Sequence, residues 1–366
     1  MKIAYDYQIF GWQEYGGISR YFFELANHIA LSKTAEVALI SPLFVNSYVR
    51  AASDELRVIG HRMPAIRRTG RIYRALNRTL AIPFMWRFSP DIVHETYYSD
   101  ARLAPRNCKV VLTVFDMIHE RFPESFPAWD TTSKEKSAAV ERADHIVCIS
   151  ENTRRDLIEL FRVPPEKTSV VYLGFTLTHA SSLPSVKAGR PYLLYVGNRG
   201  GYKNFEGLLR AYAAESILRN GFELLAFGGG VFSAKECELI SSLGLSEEQV
   251  TQVGGSDQRL AELYRNAAVF VYPSLYEGFG IPPLEAMSFD CPVACSNSSS
   301  IPEVVGDAAM LFDPLSIESI GKAVLELVQD QALCKAFVER GRERIKFFSW
   351  QSCAQQTAAI YRSLLK

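Results

Sequence analysis

Residues 269–289 read VFVYPSLYEGFGIPPLEAMSF, and three kinds of backbone follow one another within them. Val269–Tyr272 is a short apolar run of β-forming residues. Glu277–Gly280 holds two glycines, and the helix formers that follow stand behind Pro282 and Pro283. Proline is tolerated in a first helical turn, where its missing N–H has no intrahelical bond to lose. Strand, glycine loop and helix in that order put backbone amides and a positive helix end at the carboxyl edge of a strand. An anionic group, above all a diphosphate, binds there. Gly278 and Gly280 let the backbone approach a ligand with no Cβ in the way, Phe279 lying between them. Glu277 stands before the glycines and Glu285 one turn inside the helix, so the two carboxylates can take hydroxyl groups on either side of the diphosphate. The plainer reading is a common βα turn with a glutamate favoured by the helix dipole.

Working outward, β-rich runs alternate with helical patterns along most of the 366 residues. In the first half the strands are expected at 2–5, 36–40, 91–94, 109–115, 145–150 and 168–173. In the second they are expected at 192–197, 223–227, 250–254, 269–273, 292–296 and 308–312. Continuous Val/Ile/Leu runs mark strands buried on both faces, and helices between them predict parallel, doubly wound sheets. Segment 176–190 lacks apolar period and carries Ser, Pro and Gly, which reads as a linker. The α/β organisation expected is therefore a Rossmann-like domain over 1–175, a linker over 176–190 and a second such domain over 191–346, the two facing a cleft. Residues 347–366 form a terminal helix with apolar spacing at Trp350, Ala354, Ala358, Tyr361 and Leu364.

Forty basic residues balance forty acidic ones, so no global field draws the chain to nucleic acid. The start of the sequence has no signal-peptide pattern and no apolar run is long enough to span a bilayer, which predicts a cytoplasmic protein. Seven scattered cysteines read as reduced thiols. Cys291 and Cys295 are a weak zinc pair, because no histidine follows His179 to complete four ligands, and no metal is expected.

Two further segments repeat the opening pattern. YVGNRGGYKNFEGLLRAY (195–212) brings Arg199 and Lys203 to a glycine-rich loop before a helix, where they neutralise a diphosphate and its leaving charge. FGWQEYGGISRYFFEL (10–25) puts Gly16 and Gly17 where the first strand hands over to the first helix. Taken singly, each is equally a tight turn beside a solvated base.

Together these segments resemble the retaining, nucleotide-sugar-dependent GT-B glycosyltransferases of family 4. The specific match is FVYPSLYEGFGIPPLEAMSFDCPVACSNSSSIPEVVGDAAMLFDP (270–314), with its E-x7-E pair; the GGISR loop, ADHIVCISENTRRDL (143–157) and VVYLG support it. The resemblance implies that Glu277 contacts the transferred sugar and Glu285 the donor ribose. It implies that Gly278, Phe279 and Gly280 line the sugar and phosphate, and that Arg199 and Lys203 hold the diphosphate. Gly16–Gly17 would close over the donor, and the terminal helix would cross back to the first domain. No metal or other cofactor is implied, and no DxD motif is present. Many members carry His-Asp after the fourth strand; here Phe115 stands in the His position, Asp116 is kept, and His119 follows in the same loop. Asp116 and His119 are catalytic-site candidates, with capping of the next turn as the plainer role for Asp116. His94 and Glu95, at another strand end, are acceptor candidates, although a satisfied core histidine is the commoner case.

From Arg57 to Pro90 there are eight arginines and no acid. Arg67, Arg71, Arg74 and Arg78 fall on one helical stripe with Tyr73, Leu76 and Leu80 alongside, which predicts a peripheral contact with anionic inner membrane carrying a lipid-linked glycan acceptor. A solvated helix face is the plainer alternative. The local texture is most similar to mannosyltransferases of bacterial surface glycans such as O-antigen, capsule or exopolysaccharide, which points to GDP-mannose as donor. Two alternative functions are a sugar-nucleotide epimerase of the same fold, disfavoured by the intact EGFGIPPLE, and a non-catalytic nucleotide-sugar or lipid binder, which Phe115 favours.

Overall fold

The computed structural model describes every residue except 67–68 and 176–188. The described residues form two compact units, Met1–Gly174 with Phe348–Lys366, and Phe175–Phe347. The expected linker 176–190 falls almost wholly outside the described residues.

The first unit carries a seven-stranded sheet in the order β3-β2-β1-β4-β5-β6-β7. Its strands are β1 (Lys2–Tyr5), β2 (Glu36–Phe44), β3 (Leu56–Arg62), β4 (Ile92–Glu95), β5 (Lys109–Val114), β6 (His145–Cys148) and β7 (Thr168–Val170). Every pairing is parallel. The order reverses beside β1, the crevice position at which open α/β sheets take ligands. Ile3, Val93, Val110, Leu112 and Ile146 are fully buried, so the apolar runs do sit in a sheet covered on both faces. β3 is a strand that the apolar pattern did not announce. It lies at the sheet edge, its burial falls away along its length, and it carries Arg57, His61 and Arg62.

The second unit has six parallel strands in the order β10-β9-β8-β11-β12-β13. They are β8 (Tyr192–Val196), β9 (Glu223–Phe227), β10 (Val250–Val253), β11 (Val269–Tyr272), β12 (Val293–Ser296) and β13 (Met310–Phe312). Helices Phe205–Ala214 and Ile317–Gln329 bury Leu208, Leu209, Tyr212, Ile320 and Val324 in its core.

The helix Trp350–Leu364 is part of the first unit. It buries Trp350, Cys353, Ala354, Ala358 and Tyr361, four of which share the spacing read from the sequence. Gly174 permits the contact at its base: a Cβ there would lie 2.3 Å from the Trp350 backbone nitrogen. Deeper in, Tyr361 Oη lies 2.5 Å from His94 Nδ1 and 3.1 Å from Tyr5 Oη. His94 Nε2 lies 2.9 Å from Thr113 Oγ1, which in turn lies 3.2 Å from Tyr21 Oη. All five side chains are buried, so each of these bonds forms where an unmet polar group would be costly.

Candidate functional site

The loop after β11 is built as its sequence suggests. Gly280 has φ +103, a conformation that side chains rarely adopt, and from it the helix Ile281–Ser288 starts with both prolines in its first turn. Because Pro282 and Pro283 carry no N–H, this helix mouth offers fewer amide donors than its length suggests.

Lys203 and Glu277, 74 residues apart in sequence, meet in the second unit. Lys203 Nζ donates to both carboxylate oxygens of Glu277, at 2.7 and 3.0 Å. Glu277 is only 7% exposed. Lys203 Nζ also lies over the rings of Tyr202 and Tyr272, at 5.2 and 5.9 Å. Burial, with the Glu277 charge beside it, pushes the Tyr272 phenol well up, so that hydroxyl stays protonated. An ammonium and a carboxylate held together in a half-dry site form a ready-made donor and acceptor for a polyol phosphate.

Three serines that the sequence reading passed over hold this loop from behind. The Glu277 backbone N–H donates to Ser299 Oγ at 2.9 Å. Ser300 Oγ donates to the carbonyls of Glu277 and Phe279 at 2.8 and 2.9 Å, and Ser298 Oγ to that of Leu275 at 2.9 Å. Asn204 fixes the facing loop, its Nδ2 donating to the carbonyls of Pro273 and Pro314 at 3.1 and 2.8 Å. The signal was the SNSSS run after β12, legible as turn chemistry but not as support for Glu277. Glu285 is half-buried and accepts from Tyr264 Oη at 3.3 Å.

Arg199 is held by partners within the second unit. Its side chain is 4% exposed, and Nε donates to Glu236 at 2.6 Å. Nη1 donates to the Gly228 carbonyl at 2.6 Å, and Nη2 to those of Gly230 and Val231 at 2.9 and 3.1 Å. Gly228, Gly229 and Gly230 all have positive φ, which turns their carbonyls toward the guanidinium. Arg199 thus pins a glycine loop, a role set by a segment distant in sequence.

In the first unit, Gly16 and Gly17 stand at the start of the helix Gly17–Leu31, and a Cβ on Gly17 would meet nothing within 4 Å. Phe115 buries its ring against Tyr21 and Phe22, 5.2 and 5.8 Å between centroids, so the usual His position has become core. Asp116 caps the next turn, its Oδ1 accepting from the Ile118 N–H at 3.0 Å, and stays partly exposed. Behind it lies Lys136, a fully buried ammonium that the sequence reading missed. It donates to the Asp116 carbonyl at 2.9 Å and to Glu120 Oε2 at 2.7 Å. His119 stacks on Phe126 at 3.8 Å, and burial together with the Lys136 charge lowers its pKa.

His94 and Glu95 do not face an acceptor. Both His94 nitrogens are taken up inside the first unit, and burial lowers its pKa to about 3. Glu95 is 1% exposed and holds Arg142 through two bonds of 3.0 and 2.7 Å. The arginine stripe is also redistributed. Arg74 turns inward to the Tyr98 carbonyl and Glu135, at 2.8 and 3.0 Å, and Arg71 borders a cavity. Arg78 remains outward, 3.9 Å from Asp100, and Arg67 lies outside the described residues. Tyr73 is buried, while Ile72, Leu76 and Leu80 form an exposed apolar row on the helix Gly70–Phe88. No helix among the described residues is long and apolar enough to cross a membrane.

Comparison with known proteins shows what the chain as a whole is similar to. The family model for glycosyl transferases group 1 matches residues 184–344, and that for Glycosyltransferase Family 4 matches residues 15–179. The chain is 30% identical to the O-antigen chain mannosyltransferase B of Escherichia coli, over 95% of this chain and 96% of that one. Among solved structures, the sucrose-phosphate synthase of Thermosynechococcus elongatus superposes with a TM-score of 0.74 at 21% identity, covering 100% of this chain and 99% of that one. Anabaena HepE, solved with UDP and glucose, gives 0.74 at 17% identity, covering 99% and 100%.

Proposed function

The chain belongs to the glycosyltransferases of family 4 and group 1, with the GT-B fold, and from that premise we propose that it is a retaining, nucleotide-sugar-dependent hexosyltransferase. It moves mannose from GDP-mannose onto a growing bacterial surface glycan of the O-antigen type. The similarity to an O-antigen mannosyltransferase over nearly its whole length supports the sugar and the acceptor class. The observation that carries the chemistry is the Lys203–Glu277 pair at the mouth of the Gly278–Gly280 loop.

In this reading the donor diphosphate takes Lys203 from Glu277. The freed carboxylate then accepts hydroxyls of the transferred sugar, and Glu285 accepts those of the ribose. The acceptor hydroxyl adds to the anomeric carbon on the face that the diphosphate leaves. The bond to the β-phosphate oxygen breaks, that oxygen takes the hydroxyl proton, and the anomeric configuration is kept. The protein contributes position and charge, with the Lys203 ammonium opposite the leaving oxygens, so no divalent metal is required.

The test is purified protein with GDP-, UDP- and dTDP-sugars and no added metal, following released nucleotide. Slow release from GDP-mannose alone is expected, and Glu277→Ala should lower it by about 10²–10³ while the protein still melts cooperatively, at a temperature reduced by the loss of the Lys203 partner. Equal release by that variant would remove Glu277 from the mechanism, and preference for another base would remove GDP-mannose.

The exposed Ile72–Leu76–Leu80 row beside Arg78 favours a second, compatible property, peripheral docking on anionic lipid. Leu76→Asp should release the protein from vesicles containing phosphatidylglycerol. Unchanged vesicle binding by that variant would refute the docking.

A further inference from the structure

We propose that the first unit holds a saccharide-binding site with the Trp12 indole as its platform, an inference that rests on the transferase reading and names where the acceptor glycan sits. Trp12 follows β1, Ile66, Gly70 and Arg71 follow β3, and Tyr97 follows β4. All of them therefore leave the carboxyl edge of one parallel sheet, the edge at which such sheets take ligands.

Trp12, Ile66, Gly70 and Arg71 border a cavity of about 610 Å³. That is within the usual range for small-ligand sites, roughly 300–1,000 Å³. Trp12 is 48% exposed, a large apolar area to leave in water. Its indole is nonetheless fixed. The ring meets Tyr97 edge-on, with centroids 5.3 Å apart, and Tyr97 packs on Tyr98 at 4.9 Å. A Cβ on Gly70 would lie 3.2 Å from Trp12 Cδ1, so the glycine lets the helix begin close to the indole without covering it. The loop is also pinned from below. Buried Asn77 accepts from the Leu43 N–H at 2.9 Å and donates to its carbonyl at 2.7 Å, and its Nδ2 would be 3.0 Å from a Cβ on Gly11.

A rigid, half-exposed aromatic face beside a cation matches the chemistry of a pyranose. The sugar's C–H face lies on the indole, and its hydroxyls meet the Arg71 guanidinium, which has no carboxylate partner among the described residues. Burial, with the Asp116 charge adding to it, raises the Tyr97 phenol to about 12, so Tyr97 remains a hydroxyl donor.

The chain has four tryptophans, so 5-fluorotryptophan labelling gives one fluorine resonance for each, and the spectrum of W12F assigns that of Trp12. Titration of the full chain with α-mannotriose is expected to shift the Trp12 resonance saturably. In calorimetry, W12A should bind the trisaccharide about tenfold more weakly, while W12F keeps most of the affinity. A silent Trp12 resonance, a saturable response confined to other tryptophans, or equal affinity in W12A would overturn the site. If W12A instead loses vesicle binding with trisaccharide affinity intact, the indole is a lipid anchor and the proposal falls. The melting shift caused by GDP, recorded on the same samples, reports on the donor reading separately. Without it, a responding Trp12 would leave this site standing and remove the donor assignment. With it, a silent Trp12 would do the reverse.

Discussion

Replacing His94 by glutamine is expected to blunt the protein's sensitivity to acid, and the size of the effect follows from the buried network. The imidazole lies between Tyr361 and Thr113, stacks on Tyr5 at 5.6 Å and is fully buried. Burial holds its pKa at about 3, against an ordinary value of 6.5. The native state therefore takes up this proton only near pH 3, while the unfolded chain takes it up near 6.5. Between those values the unfolded state binds more protons, so stability rises with pH across the window. His94's full contribution is present above 6.5 and is lost progressively as pH falls toward 3. At about pH 5 the loss is about 2 kcal/mol, from about 1.4 kcal/mol for each unit below 6.5. Against a total of about 5–15 kcal/mol for a typical domain this is large. Hydrogen exchange of peptides covering 92–95 and 350–364 at pH 7.5 and at pH 5 reads it out, because opening of the first unit exposes both. His94→Gln should cost roughly 1–3 kcal/mol at neutral pH through its disturbed bonds. It should then lose about 2 kcal/mol less than the wild type on acidification. Equal losses in the two proteins would refute the argument, since His119, His145 and the carboxylates are present in both.

Arg199→Ala should lower the melting temperature by removing the staple on the Gly228–Val231 carbonyls and leaving Glu236 without its cation, a cost of roughly 2–4 kcal/mol. Unchanged stability with a collapse of affinity for GDP relative to guanosine would show instead that Arg199 grips the diphosphate. Gly280→Ala should cost about 1–2 kcal/mol from the left-handed backbone alone. Its new methyl would meet only Ile301 and Tyr272, at 3.8 and 3.9 Å, so crowding adds nothing. A melting temperature equal to that of the wild type would refute the backbone cost.

What could be read beforehand was what local pattern decides. The buried strands announced themselves because parallel strands covered on both faces must be apolar throughout, and the terminal helix because its apolar spacing is helical. The glycine–proline punctuation of 277–283 likewise fixed a strand-to-helix turn. What stayed hidden depended on partners far away in sequence. Arg199 looked like a free cation until the 228–231 loop folded against it, and Arg74 belonged to a basic stripe until Glu135 arrived from another helix. His94 reads the same in sequence whether it faces solvent or Tyr361, 267 residues later. β3 escaped because an edge strand half in water needs no apolar run. Lys136 gave no signal, since a buried lysine looks like any other until the carbonyl and carboxylate that hold it are found.

The placement of 348–366 in the first unit has a consequence for how the protein is made. A ribosome delivers the chain from its amino end, and domains ordinarily fold in that order as they emerge. Here the first unit leaves the exit tunnel lacking Tyr361 and Trp350, the partners of buried Tyr5 and Tyr21. It must wait while Phe175–Phe347, continuous in the chain, is synthesised and folds. Translation thus reverses the usual sequence of completion. A nascent chain stalled near residue 347 is a natural client for a chaperone, with one unit finished and the other still open.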